Sequence, residues 1–554
     1  MLRSIGSVTF LALFMVGCGS GGSGGGGNAT TYSIGGTVTG LTGSGLVLQT
    51  NSGDVVPVSA PGAFTFPNQL GSGTAYTVSV KTQPSAPAQI CTVTNGSGTV
   101  GTTNITTVAV ACSAAGTYTV GGTVSGLVGS GLTLSICTHV GGPGGGLTFC
   151  HDQKQIGADG TFTLGSVPVG DPRRHDYVAI DQQPSSPPQR CVISTADVSA
   201  QAASGTGFTV SCAQYSYVTN TADKTLTSYS VDATTGALAV VGTPIPSGDS
   251  PYATVGLEDG NKRYVFVGNQ DSNDVSGFAV DPTTGALTAV PGSPFSAGTA
   301  PQALALLNDG AYILYVANAG SDNVSAYNVD DATGTLNPLF GPGASTIPTG
   351  KNPTSIAIGG PNNPSLPFFV PFFYVANHGG SNDISAFHLD LTPVPGSPFR
   401  AGGNPLSLAV GASGKFLYSA NPDPKNPSIS GFSIDPTTGV LSPLSGSPFK
   451  LLVSHYMATD QTGAYLYVTT GDSIVGYAID ATTGALTALL GFPVAAGANA
   501  YSVSVDPTNR FLYVANDGAA NVSGFTLDAS TGALTPMAGP PFPAGLHPAF
   551  IATF

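Results

Sequence analysis

The fold is decided by Tyr513-Val514-Ala515-Asn516 … Val522-Ser523-Gly524-Phe525-Thr526-Leu527-Asp528-Ala529-Ser530-Thr531-Gly532-Ala533-Leu534, near the end of a 554-residue chain. The same phrase stands at Tyr315-Val316-Ala317-Asn318 … Val324-Ser325-Ala326-Tyr327, and between about Tyr215 and Phe554 it is written seven times. Each copy runs into a Gly-Ser-Pro-Phe-like end and then a Gly-x-x-Pro entry to a short apolar run. A repeat of roughly 45 to 50 residues, with short alternating runs between turn residues, is the mark of propeller blades.

Each repeat divides into four strands. In the copy around Asn404 they are Leu406 to Val410, Phe416 to Ala420, Ile429 to Ile434 and Leu441 to Leu444, innermost to outermost. The first repeat opens on a second strand, Tyr215 to Thr219, and the chain ends on a first strand, Pro548 to Phe554. Seven blades therefore close only if the C-terminal strand pairs beside the N-terminal ones, which leaves no inner edge strand exposed. The expected fold is all-β, a seven-bladed β-propeller over 215–554.

Composition agrees. Charged residues are 8% of the chain, while Gly (77) and Pro (43) punctuate an apolar fraction of 41%, so the Gly and Pro mark turns rather than disorder. The net charge of −14 comes almost wholly from aspartate, Glu258 being the only glutamate. Scattered Lys and Arg make no basic patch, which argues against a nucleic-acid partner.

Two related modules precede the repeats. Tyr32-Ser33-Ile34-Gly35-Gly36-Thr37-Val38 returns as Tyr118-Thr119-Val120-Gly121-Gly122-Thr123-Val124, Gly62–Phe66 as Gly160–Leu164, and Gln83-Pro84-Ser85 as Gln183-Pro184-Ser185. Alternating strands with Gly turns over 31–113 and 117–213 predict two small β-sandwiches, similar to the Ig-like or prealbumin-like repeats of bacterial surface proteins. They read as a stalk, or alternatively as an adhesive or glycan-binding unit. The repeat also selects a cysteine pairing, because equivalent positions should pair equivalently: Cys91–Cys112, Cys191–Cys212 and, around a Gly-rich insertion, Cys137–Cys150. Zinc is the rival reading, but no C-x-x-C spacing exists, and disulfides suit an oxidising compartment.

Residues 1–17 carry Arg3 and the apolar run Phe10 to Val16, which is too short for a comfortable span and suited to a signal peptide. Met15-Val16-Gly17-Cys18 resembles the bacterial lipobox; Gly17 and Cys18 fit, whereas Met15 and Val16 depart from it. Cleavage before Cys18 and lipidation of its thiol would leave a membrane anchor, with the Gly/Ser tether over 18–30 as spacer. The expected location is the bacterial cell envelope, at the outer membrane or cell surface.

Three features invite a chemical reading. The Asp of Asp-x-Thr-Thr-Gly (Asp232, Asp281, Asp435, Asp480, with variants at Asp330 and Asp528) is placed to cap its own turn, with Gly supplying a positive φ; the spacing lacks the alternating ligands of a calcium loop. The Asn of Val-Ala-Asn (Asn318, Asn377, Asn516) and the Phe of Gly-Ser-Pro-Phe (Phe295, Phe399, Phe449) read as scaffold in the same way. Repeat four lacks the Thr-Thr-Gly turn after Asp390 and inserts a Pro- and Phe-rich segment from Pro361 to Phe373. That segment reads as a loop folded on its own blade, or as a docking patch.

A site belongs at the channel mouth, where the loops entering the first strands meet the hairpins between second and third strands. The expected rim is Tyr252, Gln302, Asn352, Asn404, Asn499 and Tyr501, with His455, His547 and His378 as general-base candidates and Arg400 as an oxyanion partner. No carboxylate is placed by the sequence to orient a histidine. No metal or cofactor is expected, since the three histidines sit on separate blades.

The Leu-Tyr-Val-Ala-Asn … Val-Ser-x-Phe-x-Asp-x-x-Thr-Gly-x-Leu pattern resembles the lactonase family of seven-bladed propellers, which includes 6-phosphogluconolactonase-like proteins. The resemblance covers 215–554 and implies hydrolysis of a cyclic ester. Its motifs are blade turns and strands, and fold analogy alone does not carry function. The first reading is thus an envelope-anchored platform that binds a protein, glycan or small molecule; the alternative is a lactone hydrolase using the rim histidines.

Overall fold

Every position of the strand Phe511–Asn516 is buried, because a second strand is covered on both faces by neighbouring blades. Its flanking strands alternate. The computed structural model describes residues 30–142, 145–168, 174–185, 189–193, 207–259, 262–308, 311–339, 346–360, 372–423, 425–450, 456–539 and 541–554. The signal segment, Cys18, the tether up to residue 29, His455 and residues 361–371 of the Phe-rich insertion lie outside the described residues. Among the described residues no helix is long and apolar enough to cross a membrane.

Seven antiparallel sheets follow one another from Gln214, five-stranded in six blades and four-stranded in blade 4. The second strands are Gln214–Asn220, Lys262–Asn269, Tyr312–Asn318, Phe372–Asn377, Phe416–Asn421, Tyr465–Thr470 and Phe511–Asn516, in blades 1 to 7. The innermost strand of blade 1 is the C-terminal Pro548–Thr553, with Ser216 opposite Thr553 and Val218 opposite Ile551. The tail therefore closes the ring as the sequence requires. The fifth blade has strands Ser407–Val410, Phe416–Asn421, Ser428–Ile434 and Leu441–Pro443, within two residues of expectation. The Gly-Ser-Pro-Phe end adds a short strand beside the third: Phe295 lies opposite Val275 and Phe449 opposite Ile429. Phe295, Phe399 and Phe449 pack into the interblade cores.

The Asp turns are structural. Asp435 Oδ1 accepts from the backbone N–H groups of Thr437 (3.0 Å) and Thr438 (2.8 Å) and from the Thr438 hydroxyl (2.8 Å), and Gly439 closes the turn at φ 72°. What the turn holds is the next seam. The carbonyl of its glycine accepts a phenol from the second strand of the preceding blade: Tyr217 to Gly285 (3.3 Å), Tyr374 to Gly439 (3.0 Å), Tyr418 to Gly484 (2.8 Å), Tyr467 to Gly532 (2.9 Å) and, across the closure, Tyr513 to Gly236 (2.7 Å). The ring two residues earlier lies flat on that glycine; a Cβ on Gly285 would meet Tyr215 Cδ1 at 2.3 Å. Where repeat four lacks the glycine, stacking substitutes: Tyr315 lies on Phe373 (4.6 Å between centroids) and Phe373 on Phe387 (4.9 Å). Asp390 still caps a tighter turn through Thr392.

The chain forms two compact units: the first sandwich, and a second unit holding the other sandwich and the propeller. In the first, the sheet Gly62–Gly71, Thr31–Thr39, Ile105–Ala114, Gln89–Thr94 faces the sheet Val55–Val58, Leu46–Thr50, Ala75–Thr82, Ser97–Thr99 over one core. The second repeats the arrangement, its first strand again parallel to its last. All three disulfides are as expected: Cys91–Cys112, Cys137–Cys150 and Cys191–Cys212. Within the second unit Glu258 is buried against Arg263 (2.5 Å), with Arg190 of the sandwich at 4.0 Å. Burial pushes the Glu258 carboxyl up and Arg263 opposes it, so the sole glutamate serves this joint.

Two outcomes follow for stability. Tyr513→Phe deletes only the hydroxyl at the closing seam and should cost about 1 kcal/mol in urea unfolding; an unchanged midpoint would show that the seam does not use that bond. The turn N–H groups and threonine hydroxyls hold the Asp232, Asp435 and Asp480 carboxyls below the usual range. Their contribution is complete above the ordinary carboxylate pKa and disappears as pH falls through the lowered folded value. The melting temperature should therefore fall below about pH 4, and less steeply when the aspartates are replaced by asparagine.

Candidate functional site at the channel mouth

The mouth is built from two alternating sets of residues. Those entering the first strands adopt a left-handed backbone, with φ of 56° at Ser250, 52° at Asn352, 51° at Asn499 and 55° at His547. Each carbonyl then accepts an N–H from the hairpin of its own blade: Gln270 to Ser250 (3.0 Å), His378 to Asn352 (2.9 Å), Asp517 to Asn499 (3.0 Å) and Thr221 to His547 (3.0 Å). The hairpins are fixed by the buried Val-Ala-Asn asparagines. Asn516 donates to Asn521 (2.7 Å) and Ser523 (2.9 Å) and accepts from the Gly497 N–H (3.0 Å). These asparagines are scaffold, as expected.

On this frame the structure places a carboxylate where the sequence offered none. His547 Nδ1 lies 3.1 Å from Asp517 Oδ1, and Asp517 Oδ2 accepts from Asn499 Nδ2 at 2.8 Å. Asn499 is held in turn by Asp472 through its N–H (2.9 Å). The His547 side chain is 60% exposed, so its Nε2 edge is available to solvent. Asp517 also bears on the rim tyrosines, since its charge is one of the influences that raise the Tyr501 phenol, after burial and Tyr252.

Below the dyad, Tyr252, Tyr456, Tyr501 and Phe550 converge on the axis from blades 2, 6, 7 and 1. The Tyr252 hydroxyl lies 2.9 Å from that of Tyr456 and in hydrogen-bond contact with that of Tyr501. Phe550 packs on Tyr456 (4.7 Å) and Tyr252 (5.2 Å). Burial, with the neighbouring phenols, pushes Tyr456 well above its ordinary pKa, which keeps it neutral.

The other expected members are dispersed. Gln302, Asn352 and Asn404 are half-buried at the entries of blades 3, 4 and 5. His378 stands on blade 4, with its Nδ1 buried and without a hydrogen-bond partner among the described residues. Two or three blades separate it from His547, so these two histidines are not neighbours. Arg400 lies in the strand Phe399–Arg400, opposite Asp383 of a third strand, outside the inner ring. The residues missed by the sequence reading are Asp517, Tyr456 and Phe550. Aligning the repeats gives their signal: Asp517 follows the hairpin asparagine where other blades have Thr221, Gln270, Ala319 and Pro422, and Tyr456 falls in register with Tyr252 and Tyr501.

At the opposite end, a cavity of ≈ 410 Å³ is lined by Leu408, Val410, Met457, Thr459, Gln461 and Val505 among others. It opens where the inner strands of blades 5 and 6 run only four and three residues. Its buried carboxylate, Asp460, is satisfied by Thr462, Tyr465 and Asn509. Among the described residues the one group with metal-ligand spacing is Cys137, Cys150 and Asp181, and both cysteines are in a disulfide.

Comparison with known proteins bears out the architecture. Residues 189–300 and 457–545 match the family model described as Lactonase, 7-bladed beta-propeller. A putative 6-phosphogluconolactonase from Bacteroides uniformis superposes with a TM-score of 0.50 at 18% identity, over 62% of this chain and 99% of its own. One from Bacteroides fragilis does so with a TM-score of 0.50 at 18% identity, over 62% and 98%. A periplasmic gluconolactonase from Pseudomonas aeruginosa gives 0.49 at 17% identity, over 61% and 99%. No curated relative matches the chain. The propeller is thus lactonase-like in fold.

Two neighbouring substitutions separate scaffold from site. Asn516→Ala removes a buried amide with three partners and should cost about 2 to 3 kcal/mol. Asp517→Ala should stay within about 1 kcal/mol, because its partners reach water. Equal losses in chemical denaturation would put Asp517 in the scaffold.

Proposed function

We propose that the propeller is a lactone-hydrolysing domain displayed at the bacterial cell envelope. The His547–Asp517 pair carries this reading. A carboxylate on Nδ1 fixes the imidazole tautomer and supports the positive charge gained when Nε2 takes a proton. Nε2 then activates a water for attack on the lactone carbonyl carbon. As the ring C–O bond breaks, the same imidazolium returns the proton to the leaving alkoxide, and the product is a hydroxy acid. One N–H of the Asn499 amide goes to Asp517, and its second is assigned here to a developing oxyanion. The lactonase-like fold and the three disulfides, which suit an oxidising compartment, support the reading. We further propose cleavage before Cys18, a lipid anchor on its thiol, and the 18–30 tether and sandwiches as a stalk.

A second reading, a platform that binds a small molecule, glycan or envelope protein without turnover, is favoured by the withdrawal of Arg400 from the mouth. The deciding experiment is hydrolysis of a panel of lactones by the full chain. His547→Ala and Asp517→Asn should each lower kcat/KM by about 100-fold or more with melting temperature unchanged. Turnover indifferent to both substitutions would remove the dyad from the chemistry. Saturable binding without turnover would establish the platform.

A further inference from the structure

We infer that the ligand of this mouth is an uncharged, polyhydroxylated ring, a neutral sugar or its lactone rather than a phosphorylated one, held by the tyrosine hydroxyl cluster beside a rim of carboxylates. The inference rests on the mouth being the functional site, as proposed above, and adds the chemical class that it accepts.

Charge is the first ground. Four rim aspartates are fixed at the entries by backbone or side-chain bonds: Asp223 accepts from the Leu546 N–H (2.6 Å), Asp322 from Asn352 (2.9 Å), Asp472 from Asn499 (2.9 Å), and Asp517 faces His547. The lysines nearby are engaged, Lys224 with Asp249 (2.8 Å) and Lys351 with Asp322 (2.5 Å). Arg400 and Lys450 stand beside third strands, opposite Asp383 and Ser428. A phosphate dianion entering here would approach carboxylates without the Arg or Lys fork that phosphate recognition uses.

Hydrogen-bond capacity is the second. Tyr252, Tyr456 and Tyr501 bring three hydroxyls together, each with one proton and two lone pairs. The two bonds among the three occupy two of those protons, so what remains for a ligand is mainly acceptor capacity, matched by the O–H groups of a polyol. Tyr252, Tyr501 and Phe550 are half-buried rather than sealed, and an aromatic wall of this kind takes the C–H face of a sugar ring. The semicircle is one-sided: of the facing entry residues Thr354 is buried with its hydroxyl on the Leu406 carbonyl (3.0 Å) and Gln302 is half-buried, so one edge of a ring would meet phenols and the other an amide.

The test is calorimetric titration of the full chain with glucose, 1,5-anhydroglucitol and glucose 6-phosphate, alongside lactone turnover. The expected result is binding of the neutral compounds at least about tenfold tighter than the phosphate ester. Tyr252→Phe and Tyr501→Phe, which keep the ring and lose one hydroxyl, should weaken neutral binding by about tenfold each while the melting temperature holds. Asp517→Asn should narrow the preference against phosphate. Phosphate-ester binding equal to or tighter than neutral binding, absence of neutral binding, or tyrosine variants with unchanged affinity would each overturn the inference. Neutral binding that persists in a protein with no lactone turnover would uphold it and reject hydrolysis; turnover confined to a phosphorylated lactone would do the reverse.

Discussion

The hydrogen bond from a second-strand tyrosine to the turn glycine of the next blade is the constraint on which the ring depends. A propeller has no central core; each sheet must be held at a fixed angle to the next, and flat apolar faces alone allow sliding. A phenol reaching one carbonyl, with an aromatic ring laid on the same glycine, fixes the seam at a point. The Asp-x-Thr-Thr-Gly turn therefore does two jobs: the carboxylate orders the turn locally, and the turn presents its glycine to a neighbour. Repetition of a carboxylate in nearly every blade is what such a scaffold requires.

The same closure creates the site. His547 lies in the loop that leaves blade 7 and enters the final strand, the one passage in which the tail of the chain supplies a blade begun by its head. The loop is stitched to blade 1 by Gly545 N–H on Asn220 (3.0 Å) and by Thr221 N–H on the His547 carbonyl. Asp517 comes from blade 7 and the phenols from blades 2, 6 and 7, so the polar and aromatic groups crowd into the sector around the seam. A ring of near-identical repeats thus acquires one chemically distinct side.

The architecture was legible because it is repeated. A strand phase beginning on a second strand and ending on a first fixed the blade number and the closure, and the doubled module fixed the disulfides. The site was legible only by position. His547, Asn499, Tyr252 and Tyr501 were found as entry residues, whereas Asp517 was hidden by reading the hairpins for the asparagine they share rather than the residue that follows it. Arg400 was misjudged because the Gly-Ser-Pro-Phe-Arg segment forms a strand beside the third strand before the chain turns inward. Phe550 lies one position beyond the register that holds Tyr252, Tyr456 and Tyr501, so aligning the repeats does not single it out.

A crystal structure of the full chain soaked with a stable, neutral analogue of a sugar lactone is the most direct test. The ring is expected against Tyr252 and Tyr501, with His547 still on Asp517 and its Nε2 turned toward the carbonyl position of the analogue. A ligand bound in the opposite cavity by Gln461, or His547 turned away from Asp517 with the mouth unchanged, would contradict this expectation.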